Sequence, residues 1–93
     1  MGFMTRLLFS QSVSLTDPNT ALAGKDSVLN YIGEIFAEDS LLKFEAHNIF
    51  VCGKTSIIEF SLTLGTTELV GTDIIDWDEN GQIVSLRAYL YQL

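Results

Sequence analysis

From residue 41 onward, three turn-forming pairs divide the chain: Gly53-Lys54, Gly65-Thr66 and Asn80-Gly81. Pairs of this kind between apolar runs signal tight antiparallel hairpins. They predict four strands, near residues 41–52, 55–64, 67–78 and 82–91. Each is long beside the usual run of about five or six residues, and a meander of such strands twists strongly and curves around something.

Alternation along the strands assigns their faces. Ile58, Phe60, Leu62 and Leu64 form one apolar row, and Val84, Leu86, Ala88 and Leu90 another. Both are expected to face the core. Their opposite rows, Glu59, Ser61, Thr63 and Ser85, Arg87, Tyr89, Tyr91, mix polar groups with the Tyr and Arg typical of interfaces, which points to a homodimer or higher homo-oligomer built on that face. In the third strand the bulkier row is Leu69, Gly71, Asp73, Ile75, Trp77, so Asp73 is expected to point inward. An isolated charge there costs several kcal/mol or more, so the carboxyl pairs, neutralises or lines a wet cavity. No basic residue stands on the inward rows. The alternative is a bulge that reverses parity and returns Asp73 to the surface.

Ahead of the strands, "KDSVLNYIGEIFA" over Lys25–Ala37 sets Val28, Ile32, Ile35 and Phe36 on one side and Asn30 and Glu34 on the other, an amphipathic helix. Gly24 serves as its N-cap, and Asp26 suits the positive end of the helix dipole. Pro18 lies in "TDPNT", a turn by its chemistry.

No linker or repeat interrupts the 93 residues, so residues 1–93 read as a single domain of α+β class. With 5 basic and 12 acidic residues the net charge is −7 and no basic cluster exists, which disfavours nucleic acid and anionic membranes as partners. No apolar run approaches the length of a membrane span, and the expectation is a cytoplasmic protein. Cys52 alone makes no internal disulfide, and with His47 it does not complete a zinc site, so no metal and no cofactor are expected. His47 falls on the mixed row with Lys43 and Glu45. Asp76, Asp78 and Glu79 lack the spacing of a calcium loop and read as a solvated strand end.

Taken in order, "LLFSQSVSLTDP", the segment "GKDSVLNYIGEIF" and "VGTDIIDWDENGQIVSLRAYL" resemble the cone-shaped domains of the nuclear transport factor 2-like superfamily, in the flavour of SnoaL-like and ketosteroid isomerase-like proteins. The resemblance spans nearly the whole chain. It implies a curved antiparallel sheet packed on one main helix, an apolar pocket inside the cone and dimerisation through the outer face. It also implies a long first helix, of which this chain would carry only the end. The tyrosine that true isomerases place on that helix as main oxyanion donor has no counterpart here.

By that resemblance Asp17, before Pro18, matches the general base that moves a proton next to a carbonyl. Asp73 matches the carboxyl kept protonated as a donor to the enolate oxygen, a case familiar from ketosteroid isomerases. Tyr31 matches a pocket-lining aromatic, with Phe60, Leu62, Ile75, Trp77 and Leu86 as further lining for a small apolar ligand. Asp17 also fits an ordinary turn, and the Tyr31 hydroxyl fits a group bonded within the core. Desolvation is expected to keep Asp73 protonated at neutral pH. Without the first helix, Phe60 and Leu62 are expected to be exposed unless Gly2 to Phe9 or a second subunit covers them. Three functions remain open: an isomerase or cyclase acting by proton transfer, a non-catalytic binding module, and an oligomeric scaffold.

Overall fold

The computed structural model describes residues 7–37 and 43–92. Among these the elements run β1 (Phe9–Asp17), β2 (Thr20–Ala23), α1 (Lys25–Ala37), β3 (Lys43–Cys52), β4 (Thr55–Leu64), β5 (Thr67–Trp77) and β6 (Ile83–Gln92). The four expected strands and the helix are present. Residues 41 and 42 of the first expected strand, residues 2–6 of the expected cover and the side chains of Ile35 and Phe36 lie outside the described set. No described helix is long and apolar enough to cross a membrane.

The sheet has six strands in the order β2-β1-β6-β5-β4-β3. It is mixed, where a purely antiparallel one was expected. β3 through β6 form the antiparallel meander, while β1 lies parallel to β6, with Leu15 beside Leu86 and Thr16 beside Arg87. The "TDPNT" turn is the cause: it folds β2 back on β1 through Asp17↔Thr20, so β2 occupies one edge of β1 and leaves the other for β6.

The core gathers where β1 meets the helix. Phe9, Val13, Leu15, Val28, Leu29 and Ile83 are buried together, with Leu22, Ile32, Ile75 and Trp77 packed against them. Val13 and Val28 are wholly enclosed, and full burial of such a side chain contributes about 1.5–3 kcal/mol. At the start of α1, the Gly24 carbonyl accepts from the Val28 N–H at 3.1 Å, the first helical bond, as an N-cap residue should.

One hairpin departs from expectation. A two-residue type I′ turn at Asn80-Gly81 would need positive φ at both positions, yet only Gly81 has it, at 76°. The connection is instead a longer loop organised by Asp78, whose Oδ1 accepts from the N–H groups of Asn80 at 2.8 Å and Gln82 at 3.0 Å. Asp78 is thus a turn-forming residue and not simply part of a solvated strand end. The altered connection shifts the β5–β6 register between Asp76 and Trp77, so Ile83 pairs with Trp77 and enters the core. Val84, expected on the inward row, is the residue displaced by that bulge. Beyond it the expected row of Leu86, Ala88 and Leu90 lies opposite Ile75, Asp73 and Gly71.

Phe60 is buried at 4 % exposure, on the inward side that its parity assigned. It stacks on Phe44 at a centroid distance of 5.0 Å and lies over Gly71 on the neighbouring strand. A Cβ on Gly71 would meet the Tyr89 carbonyl oxygen at 2.5 Å, Leu90 Cδ2 at 2.7 Å and Phe60 Cζ at 3.1 Å, and the first of these is backbone that cannot swing away. Gly71→Ala should therefore lower stability by about 1–3 kcal/mol, as overpacking does. Gly33→Ala, on the helix with nothing within 4 Å of the new Cβ, should raise it by about 0.5–1 kcal/mol. Urea unfolding midpoints check both; a neutral Gly71→Ala would show that the sheet is loosely seated there.

Candidate functional site

Asp17 reaches the interior through the alternation of β1. Val13 and Leu15 are buried, and two residues further on Asp17 continues the same row. Thr16 pairs with Arg87, so one step along, Asp17 stands beside Ala88, which is itself the partner of Asp73 across β6 and β5. The two carboxyl-bearing residues are therefore separated by a single strand, about 10 Å from backbone to backbone. Both line one apolar cavity of about 190 Å³ on the concave side of the sheet.

Each carboxyl has a distinct setting. The Asn19 N–H donates to Asp17 Oδ1 at 2.9 Å, the turn bond expected before Pro18, and the Tyr31 hydroxyl donates to Oδ2. Asp17 is thus a turn residue and a cavity residue at once. That bond to Asp17 is the chief cause of a raised Tyr31 pKa; a bond with Thr20 works against it, and burial and the Asp17 charge add to it. Asp73 points inward as its parity required, opposite Ile58 on β4 and Ala88 on β6. Burial pushes its pKa up to about 6. The direction matches expectation, but the extent does not keep Asp73 protonated: at pH 7 a carboxyl of this acidity is mostly ionised.

Among the other expected lining residues, Tyr31, Phe60, Leu62 and Leu86 face the cavity. Ile75 and Trp77 do not; they pack onto the core, where the Trp77 indole N–H bonds Ser56 Oγ at 3.1 Å. Leu15, Ile32, Phe44, Ala88 and Leu90 complete the wall and were not named as ligand lining from the sequence, although Ile32, Ala88 and Leu90 stood on the inward faces read there. The Val13-Leu15-Asp17 alternation would have found Leu15, and the spacing four residues after Val28 would have found Ile32.

A larger concavity, about 380 Å³, lies on the outer face between His47, Glu59, Thr72, Tyr89 and Tyr91. It is open and has neither Asp17 nor Asp73 in its wall. His47 bonds Ser61 at 2.9 Å there, on the outer side as expected. No cluster of three or more metal-ligating side chains occurs among the described residues.

The raised acidity of Asp73 has a consequence for stability. Its ordinary value is 3.8 and its folded value about 6, so between these the native state holds a proton that the unfolded chain has lost. Its penalty is absent below pH 4, grows as pH rises through 6 and levels off above. Asp73→Asn should remove this component. The stability of the native protein relative to the variant, from urea midpoints, should fall between about pH 4 and 7; parallel curves would mean that Asp73 is solvated.

Comparison with known proteins places this geometry. A family model described as a SnoaL-like domain matches residues 5–86. Among curated proteins none matches the chain. Several solved structures share the fold. A steroid delta-isomerase from Pseudomonas aeruginosa superposes with a TM-score of 0.82 at 22% identity, over 96% of this chain and 66% of its own. A protein from Silicibacter pomeroyi described as having a cystatin-like fold gives 0.80 at 24% identity, over 92% and 61%. A de novo designed protein with a curved β-sheet gives 0.79 at 16% identity, over 92% and 68%. This chain therefore spans somewhat under two thirds of the length of the first two. At these identities the likeness shows the fold alone, and a fold does not specify chemistry. With the family model covering most of its length, the chain belongs to the SnoaL-like domain family.

Proposed function

We propose that the protein moves a proton next to the carbonyl of a small apolar compound, as an isomerase or cyclase of the ketosteroid isomerase type. The supporting observation is that Asp17 and Asp73 line one apolar cavity. Asp17 takes a proton from the carbon beside the carbonyl and returns it further along the conjugated system. Asp73, in its protonated form, donates a hydrogen bond to the oxygen that becomes negative. An apolar ligand that displaces water from Asp73 strengthens the desolvation that already raises it, so occupancy favours the donor form. The scheme calls for no cofactor. Tyr31 and the Asn19 amide hold Asp17 in place.

A second reading, a binding module without chemistry, is favoured by one observation. The Tyr31 hydroxyl is engaged with Asp17, so among the described lining residues the only donor left for an enolate is Asp73, which is mostly ionised at pH 7. Turnover of a β,γ-unsaturated ketone separates the two. Asp17→Asn should lower kcat/KM by roughly 10² to 10⁴, the usual share of a general base. Asp73→Leu should lower kcat by about 10² to 10³ and leave the fold intact. A wild-type protein that binds the ketone but never isomerises it is a binding module.

The outer face supports a homodimer. Tyr89 and Tyr91 are 54 % and 66 % exposed, aromatic side chains of the kind that interfaces favour. Light scattering at tens of micromolar should report a dimer, and Tyr89→Glu with Tyr91→Glu should convert it to monomer. A wild-type monomer would contradict this.

A further inference from the structure

The same walls have a property that proton transfer does not use. Among the described residues two carboxyls enter the cavity and no basic side chain does. The Tyr31 hydroxyl, which could donate to a ligand, donates to Asp17 instead. Asp73 has no hydrogen-bond partner among the described residues. Among the described residues the titratable groups that share its cavity are Asp17 on β1 and Tyr31 on α1; on the adjoining strands it meets Ile58 and Ala88. Its oxygens are open to the cavity, where water or the donor of a ligand can reach them. The remaining wall adds the rings of Phe44 and Phe60, and aromatic rings attract cations. A net charge of −7 draws cations toward the molecule as a whole.

We infer that this cavity binds small apolar amines, with a protonated amino group held by Asp17 and Asp73 and an aryl or short aliphatic body against Phe44, Phe60 and Leu62. The inference rests on the cavity being a ligand site, as above, but not on catalysis. With its proton Asp73 serves a developing oxyanion; without it, a cation. The cavity thus accepts two classes of ligand according to the state of one carboxyl. An amine there competes with the carbonyl substrate.

The test compares phenethylamine with its neutral isostere 2-phenylethanol, by NMR titration of the full chain at neutral pH. The amine should bind about tenfold more tightly than the alcohol, the worth of a partly desolvated ion pair. Its shift changes should centre on Ala88 and Leu90 of the cavity wall. Asp17→Asn and Asp73→Asn should each remove most of the preference. Equal affinity for amine and alcohol, no amine binding, or a preference that survives both substitutions would overturn the inference. Should a variant fail to fold, the wild-type comparison still decides. Ketone turnover without amine binding sinks this inference alone, and amine binding without turnover sinks only the catalytic reading.

Discussion

The parallel pairing of β1 with β6 is the contact on which the molecule depends. Among the described residues five of the seven buried apolar side chains lie on β1 or on the helix that packs over it, and a sixth, Ile83, is the first residue of β6. The meander of β3 to β5 contributes only Phe60. It is locally ordered by its turns, but its curvature encloses something only because β1 closes one side and anchors α1. β3, at the far edge, is exposed along its whole length. Stability is therefore concentrated at one end of the sheet, and the cavity opens between that packed end and the freer one.

The same strand joins fold to chemistry. β1 runs from Val13 and Leu15 in the core to Asp17 in the cavity without a change of face, so the packing that seats the helix also aims the carboxyl. α1 answers with Tyr31, three residues after the buried Val28, whose hydroxyl meets Asp17. Asp73 arrives by an independent route, as an inward position of a strand whose neighbours are apolar. One carboxyl is held by two donors and the other is left to burial, and this difference in setting is what makes a pair of aspartates chemically unequal.

Much of this was legible in the sequence, for identifiable reasons. Gly53-Lys54 and Gly65-Thr66 bound strands because a two-residue turn leaves no slack, and the register then follows from parity. Asn80-Gly81 misled because the dipeptide does not reveal that Asp78 competes for the backbone amides, and the resulting bulge exchanges Val84 for Ile83. Phe60 takes the inward side that parity assigned, but its cover, Phe44 and the bare face of Gly71, comes from two other strands and was not legible. The expectation that Ile75 and Trp77 line the pocket failed similarly: both have the right parity, but parity does not say how far along the cone a residue lies. The role of Tyr31 as partner of Asp17 joins positions 14 apart in the chain through a turn and a strand, and no spacing rule encodes it.

The central claim is that Asp17 and Asp73 share one apolar space and that burial raises the pKa of Asp73 above its ordinary value. Titrating the side-chain carboxyl carbons by NMR tests this directly, without knowledge of the substrate. Asp73 should titrate near 6, and higher still when an apolar ketone occupies the cavity. A midpoint near 4, unchanged by the ketone, would place Asp73 in water and contradict the account.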